Sequence, residues 1–299
     1  MKRLRERSFE EQDLVMEDFY RLLGIRRQGF HKNLRAMVAR QDLEAAIKSD
    51  VLAYRTKDAR AGSLSLFHNL AIKSKYGIGI TKFSKLMTSM GLSLQPLRVR
   101  IITTESCARS RQYGNLLNGL VIRGYGEAVV GDLTYVLRNQ LRYYVFSLFD
   151  ICSARMVGIC GSDRMRAQDA APAMEQWLNL RGEQNVAQSI HHTDGGGQYF
   201  SDLYLDRLQP LKVRMSVAQD CLQNGYAEQR NGLLKHHLFS YGYSDLKSFQ
   251  AELKTVKRFY NYQRRQEKLG WRTPVAYEQY LDSISPNQRP SLYLHRFDN

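Results

Sequence analysis

The sequence predicts a chain in two parts: a basic, all-α N-terminal region of helix-turn-helix shape, and a mixed domain, α+β grading into α/β, with element order βββαβαβα. Three observations predict it. Apolar residues recur at near-helical spacing from about residue 10 to 95, three short Val-, Tyr- and Phe-rich runs follow from residue 128, and strand-like and helix-like segments then alternate. With 299 residues, 43% of them hydrophobic, two domains and a real core are affordable, which excludes a largely disordered or collagen-like chain.

In the first helical stretch, Leu14, Phe19, Leu22 and Leu23 are followed by Gly24, after which RRQGFHKNLRAMVA resumes a helical pattern. Two helices about a glycine turn suit a helix-turn-helix, with Arg26, Arg27, His31, Lys32 and Arg35 on or beside the second helix, where groove and phosphate contacts are made. A comparable unit, LSLFHNLAIKSKYGIGITKFSKLMTSMGL, has Gly77 and Gly79 between two apolar-periodic segments, with Lys82 and Lys85 flanking the second. The competing reading of each unit is an ordinary helical bundle with a basic exterior.

Residues 96–124 lack periodicity and read as a basic linker carrying Arg98, Arg100, Arg109, Arg111 and Arg123. AVVGDLTYV, RYYVFSLFD and ARMVGIC then form a three-stranded meander. A helix over about 164–180 follows, with Ser162 or Asp163 as cap and Pro172 as a possible kink. VAQSIHHTD is the fourth strand, YFSDLYLDRL a helix, LKVRMSV the fifth strand, and residues 222–238 the last helix of the domain. LKSFQAELKTVKRFYNYQRR is a long basic helix whose Phe249, Leu253, Val256 and Tyr260 are spaced for packing, and TPVAYEQYLDSI a short one with Thr273 at the N-cap and Pro274 at N1. The divisions expected are 1–95 helical DNA-binding region, 96–124 linker, 125–240 α/β core and 241–299 helical extension.

Charge narrows the function. The chain carries 44 Lys and Arg against 29 Asp and Glu, a formal net charge of +15, and +10 of this lies in the first 110 residues. A polyanionic partner is implied, nucleic acid ahead of a membrane surface. The four cysteines form no C-x-x-C pair, and no long uncharged apolar run or secretory h-region is present, so a reducing cytoplasmic setting, nucleoid-associated, is expected, without membrane attachment.

Three carboxylates occupy informative positions: Asp132 inside the first strand, Asp194 just after the fourth, and Glu228 on the last helix of the domain. A carboxylate flanked by Val130 and Leu133 in an apolar strand is costly unless paired or bound to a cation. Asp194 precedes Gly195, Gly196 and Gly197, a turn that a substrate can approach closely. Asn224, Asn231 and Lys235 share roughly one helical face with Glu228.

Together GDLTYV, RMVGICGSDRM, IHHTDGGGQYFS, MSVAQDCLQNGYAEQRNGLLKHHL and YNYQRRQEKLGWRTPVAYEQYL resemble the OrfB-type insertion-sequence transposases of the DDE transposase and retroviral integrase superfamily. The resemblance reaches upstream, where YRLLGIRRQGFHKNL and GITKFSKLMTSMGL are similar to that family's N-terminal helix-turn-helix region. It implies an RNase H-like catalytic core in which Asp132, Asp194 and Glu228 hold two Mg²⁺ ions, with Mn²⁺ as the alternative. It implies strand cleavage by water and then strand transfer by the freed 3′-hydroxyl, acting on double-stranded element ends and target DNA. A homo-oligomer on DNA and an OrfA-type partner are implied as well. The chain departs from the family pattern in having Val129 and Val130 where an aromatic usually precedes the first aspartate, Gly195 where a basic residue often follows the second, and a slightly short interval to Glu228. Two other functions stay open at this stage: a degenerate DNA-binding protein or inhibitor of transposition, and a Mg²⁺-dependent nuclease without strand transfer.

Arg230 and Lys235 are candidate phosphate contacts beside a plain solvated-face reading. His191 and His192 are adjacent in a strand and point to opposite faces, so at most one faces the site, and a structural role is favoured. His236 and His237 read as surface groups near DNA. Asp150, close to the site on this reading, is better explained as a turn or cap residue than as a catalytic one.

Overall fold

The computed structural model describes residues 20–22, 24–94, 107–138, 141–218, 232, 234 and 243–294. The chain forms two compact units, Met1–Val51 and Leu52–Asn299.

In the first unit a helical turn ends at Gly24, whose φ of +65° is the left-handed conformation glycine adopts without Cβ strain. The amides of Gly24 and Ile25 bond back to the carbonyls of Arg21 and Tyr20. Tyr20 is buried, its ring 5.4 Å from Phe30 and its hydroxyl 3.2 Å from His31 Nε2. Helix α1 (Arg27–Arg55) then runs unbroken. The glycine turn is therefore where the sequence puts it, and the helix after it is longer than the pattern suggested.

The second unit begins with three short helices, α2 (Ser63–Asn69), α3 (Ile72–Tyr76) and α4 (Ile80–Ser89). Leu66, Ile72, Phe83 and Met87 form their common interior. The two expected segments are three helices because the first breaks at Ala71, which takes a left-handed φ of +51° at the start of α3. Gly77, with φ +66°, separates α3 from α4 as the sequence predicts.

The core is a five-stranded sheet of β2 (Ala128–Arg138), β3 (Leu141–Asp150), β4 (Met156–Ser162), β5 (Ile190–Thr193) and β6 (Arg214–Val217), in spatial order β4-β3-β2-β5-β6. The meander β2-β3-β4 is antiparallel, and β5 and β6 add in parallel. Between them lie α5 (Ala167–Arg181) and α6 (Asp202–Leu208). This is the RNase H-like arrangement, observed as βββαβαβ; the expected last helix falls outside the described residues apart from helical positions 232 and 234.

Each face of the sheet carries its own core. Val129, Phe146, Leu148 and Val157 pack with Trp177, Tyr204 and Leu208 of α5 and α6. Val130, Val145, Phe149 and Ile190 pack with Leu234 and with Phe249, Leu253, Val256 and Tyr260 of α7 (Leu246–Tyr262). The four apolar residues singled out on this helix are thus its buried stripe. Gly158 permits the closest approach, since a Cβ there would lie 2.0 Å from the Ala173 carbonyl oxygen of α5.

Groups from other segments cover parts of both sheet edges, which hinders strand addition. On β4, Asn261 exchanges two hydrogen bonds of 2.9 Å with the Met156 backbone, and Gln176 pairs with the Ile159 amide and carbonyl at 3.2 and 2.7 Å. Lys257, whose pKa burial and then Arg155 push down to about 8, donates to the Val157 carbonyl at 3.0 Å. On β6, the Val217 amide bonds to Gly114 and the Ser216 hydroxyl accepts from Leu116 N–H. Residues 107–118, part of the expected linker, therefore lie against the core, and β1 (Val121–Ile122) pairs with β7 (Leu292–Tyr293).

Helix α5 corrects one expectation, since its N-cap is Arg166 rather than Ser162 or Asp163. Asp169 sits at N3, accepts the Arg166 amide at 3.0 Å and pairs with its guanidinium. Pro172 lies within the helix. Helix α8 (Pro274–Asp282) begins as expected, with the Thr273 hydroxyl accepting from Ala276 N–H.

Candidate active site

Parallel pairing of β2 with β5 sets the site. Ala128 lies opposite Ile190, Val129 opposite His191 and Val130 opposite His192, a constant offset of 62 positions. Asp132 lies two residues past Val130 within β2, on the same face by strand alternation, and Asp194 lies two residues past His192, just after β5 ends at Thr193. Both are half-buried. The phenol of buried Tyr199 is raised well above its ordinary value first by burial, then by Tyr204, and then by both Asp194 and Asp132, so one group senses the two carboxylates.

Local sequence explains the placement. Gly131 lies where a Cβ would come within 2.8 Å of His191 Cε1 and 2.9 Å of Leu148 Cδ2, so glycine leaves room for both side chains beside Asp132. Asp194 Oδ1 accepts the Gly196 amide at 3.1 Å, and Gly195 takes φ +85°, which turns the chain sharply away from the strand end. The Gly195 carbonyl accepts from Cys107 N–H at 3.0 Å.

The histidines are structural. His191 Nε2 lies 3.0 Å from the Tyr204 hydroxyl among Trp177 and Tyr199, and His192 Nδ1 lies 2.8 Å from Ser216 Oγ. Burial, with His192 next, pushes His191 down to about 3, which keeps it neutral. Asp150 is not beside Asp132. It faces Val129, whereas Asp132 faces Ser147, three positions or about 10 Å along the strand. There Asp150 accepts from Gly126 N–H (2.6 Å), Ser153 N–H (2.9 Å) and Arg181 (3.0 Å), the turn role that the sequence favoured.

Glu228, Arg230, Lys235, His236 and His237 lie outside the described residues. Leu234, six positions after Glu228, is buried in the core on the Asp132 face. Among the described residues no group of three or more His, Cys, Asp or Glu is placed to hold a metal ion.

Comparison with known proteins decides the family. Residues 124–220 and 210–274 match two models of the integrase core domain. The transposase of insertion sequence element IS629 from Shigella sonnei is 30% identical over 67% of this chain and 68% of its own. A putative transposase of IS986/IS6110 from Mycobacterium tuberculosis is 30% identical over 69% of this chain and 77% of its own. The chain belongs to the insertion-sequence transposases of the DDE/integrase superfamily. Among solved structures, the HTLV-2 integrase catalytic core domain in complex with magnesium has a TM-score of 0.43 at 15% identity, covering 55% of this chain and 99% of that one. As a DDE-type polynucleotidyl transferase, this transposase acts on DNA, and neither a non-catalytic DNA-binding role nor nuclease action alone is favoured.

Each unit carries a basic surface of its own. In the first unit of the transposase, Arg27, Gln28, His31, Lys32 and Arg35 line one shallow cleft of about 600 Å³, with Arg26 exposed just before it. In the second unit, Lys82 and Lys85 are exposed on α4 together with Thr81 and Thr88. Sequence reasoning missed that residues 107–112 reach the Asp194 turn, with Arg109 pairing with Asp202 at 2.6 Å. No periodicity marks that segment, whose contact with the Asp194 turn is a backbone hydrogen bond. No helix among the described residues is long and apolar enough to cross a membrane.

Proposed function

We propose that Asp132, Asp194 and Glu228 are the carboxylates of a metal-dependent strand-cleavage and strand-transfer site. The observation that supports this reading is the 62-position offset between β2 and β5, because Asp132 and Asp194, both half-buried, each follow its last pair, Val130 and His192, by two residues. Two like charges so placed repel each other, and a cation between them relieves the cost. The donor set is all oxygen, which suits a hard divalent ion, Mg²⁺ or Mn²⁺, held by Asp132 and Asp194 with Glu228 completing the set. When bound, a pair of such ions supplies charge stabilisation to the attacking and leaving oxygens at phosphorus.

The chain's own residues do the rest. Gly195, Gly196 and Gly197 carry no side chain over the site, so a phosphodiester reaches the carboxylates without steric conflict. His191 stays neutral, and His191 and His192, hydrogen-bonded to Tyr204 and Ser216 on opposite faces of the strand, hold β5 in place. Arg26, Arg27 and Lys32 in the first unit, Lys82 and Lys85 on α4, and Arg230 and Lys235 after Glu228 hold phosphates, so affinity falls as salt rises. Joining requires two element ends at one target, so the active form is a homo-oligomer on DNA, with an OrfA-type partner supplying further end binding.

The test compares wild type with Asp132→Asn, Asp194→Asn and Glu228→Gln on DNA carrying the element's ends, with Mg²⁺ or Mn²⁺. Each change keeps size and removes a charged ligand. Cleavage and joining are expected to fall by on the order of 10³-fold, several kcal/mol of transition-state stabilisation, with DNA affinity retained. Retention of joining by any of the three removes that residue from the site.

A further inference from the structure

The three helices α2–α4 are fastened to the catalytic domain by a defined interface. The His68 ring stacks on Trp271 with centroids 3.7 Å apart and planes 13° from parallel. Asn69 pairs with the Arg265 backbone at two points, its Oδ1 accepting from the amide at 2.8 Å and its Nδ2 donating to the carbonyl at 3.3 Å. Arg264 donates to Asp58 at 2.9 Å, and that carboxylate side chain is only 2% exposed. Tyr54 meets Phe259 edge-on at 5.9 Å.

The receiving loop is built for this contact. Trp271 adopts φ +59°, a left-handed conformation that strains a bulky residue and persists only where its surroundings over-determine it. Here the surroundings are a bridge between Gln266 and Arg272, a bond from Trp271 N–H to the Gln266 carbonyl at 3.0 Å, and Arg272 stacked 4.2 Å over Tyr280 of α8. The loop continues directly from α7, whose buried stripe covers the sheet face bearing Asp132. A continuous set of contacts thus runs from α2 through the 264–272 loop to α7 and the sheet face it covers. The exposed face of α4, with Thr81, Lys82, Lys85 and Thr88, is left free of this interface.

We propose that this dock is a ruler: His68, Asn69 and Trp271 are positioning residues that fix which phosphodiester is cut relative to the base pairs held by α4. The proposal rests on the reading that α4 contacts DNA. A fixed reader-to-site distance gives one cut position, whereas a loosened dock lets the reader and the carboxylates adopt several separations.

The experiment uses the full chain with Mg²⁺ on end-labelled DNA carrying the element's terminus, and on the same DNA with one to four base pairs inserted between the α4 footprint and the cut. Wild type is expected to cut at a constant distance from the footprint on every substrate. In His68→Ala with Asn69→Ala, and separately in Trp271→Gly, cuts spread over neighbouring phosphodiesters with end affinity within about twofold of wild type. The ratio of correctly placed to misplaced cuts falls about tenfold, the scale of losing one ring stack and one two-point amide pair. Glycine at position 271 removes the ring and the backbone strain together, so that variant keeps its fold, and Trp271→Phe restores the position of the cut. A uniform loss of cutting with unchanged position, or unchanged cutting in both variants, overturns the ruler. Lys82→Ala with Lys85→Ala tests the underlying reading separately, because an unaltered footprint there shows that α4 does not hold DNA.

Discussion

Replacing Arg181 with Met tests whether the buried ion network under α8 is a single unit. The Arg181 side chain, 8% exposed, lies 3.0 Å from Asp150 and 2.6 Å from Glu278, whose side chains are 0% and 6% exposed. Arg155 also pairs with Glu278, the Ser153 hydroxyl stands 3.1 Å from Asp150 and 2.8 Å from Glu278, and Tyr125 covers the Arg181 guanidinium at 4.7 Å. Methionine fills similar volume and removes the charge that both carboxylates share. Breaking a buried pair from one side costs about 3–5 kcal/mol, because the partner is left charged and desolvated. At about 2–4 °C per kcal/mol for a unit of this size, the midpoint of thermal unfolding falls by roughly 6–20 °C.

The pH dependence carries a sign. Burial raises Glu278, but hydrogen bonding and charge from Arg181, with Arg155, outweigh it and hold the group below its ordinary value. In the wild type that contribution is present at neutral pH and lost as pH falls below the usual glutamate range. Without Arg181 both carboxyls rise, so the deficit of the variant shrinks on acidification. The assay is thermal and urea unfolding followed by far-UV circular dichroism at pH 7.5 and 5.0. The triple variant Asp150→Asn, Arg181→Met, Glu278→Gln, which removes every full charge but that of Arg155, is expected to recover more than half of the loss. A loss below about 1 kcal/mol, the value of an exposed pair, or no recovery in the triple variant refutes the reasoning.

Gly158→Ala forces a methyl group onto the Ala173 carbonyl, so α5 must move off β4; a loss of about 1–3 kcal/mol in urea unfolding is expected, and none would show that the helix shifts freely. His191→Gln keeps a hydrogen-bonding group near Tyr204 without a titrating ring. The folded His191 pKa, about 3, lies far below the unfolded value, so its neutral state costs stability as pH falls below about 6.5. Between pH 6.5 and 4.5 the slope of wild-type unfolding free energy should exceed that of His191→Gln by up to about 1.4 kcal/mol per pH unit, and equal slopes would mean that His191 protonates in the fold.

Much of this protein was legible along the chain. The meander is Val-, Tyr- and Phe-rich because three neighbouring strands bury both faces, and the stripe Phe249, Leu253, Val256 and Tyr260 announced the helix that covers one of them. Gly24 and Gly77 marked turns because a positive φ is nearly strain-free only without a Cβ. Asp132 stood out because a carboxylate in an apolar strand demands a reason.

Other features were invisible because they depend on which segments meet. Asp150 stands in the same strand sequence as ordinary polar residues, and only the approach of Arg181 and Glu278 from α5 and α8 makes it part of a buried network. The stretch 107–118 has linker composition, yet its backbone covers part of the β6 edge and touches the Asp194 turn through hydrogen bonds that any sequence of similar size can make. His68 and Trp271 lie far apart in the chain, and no periodicity joins them. The sequence by itself determined the elements, the family and the candidate carboxylates, because turn chemistry, hydrophobic period and motif order are local properties. Tertiary structure alone decided the parallel pairing of β2 with β5, the covering of both sheet edges and the docking of α2–α4, because strand register and long-range pairing are set by packing of surfaces distant in sequence.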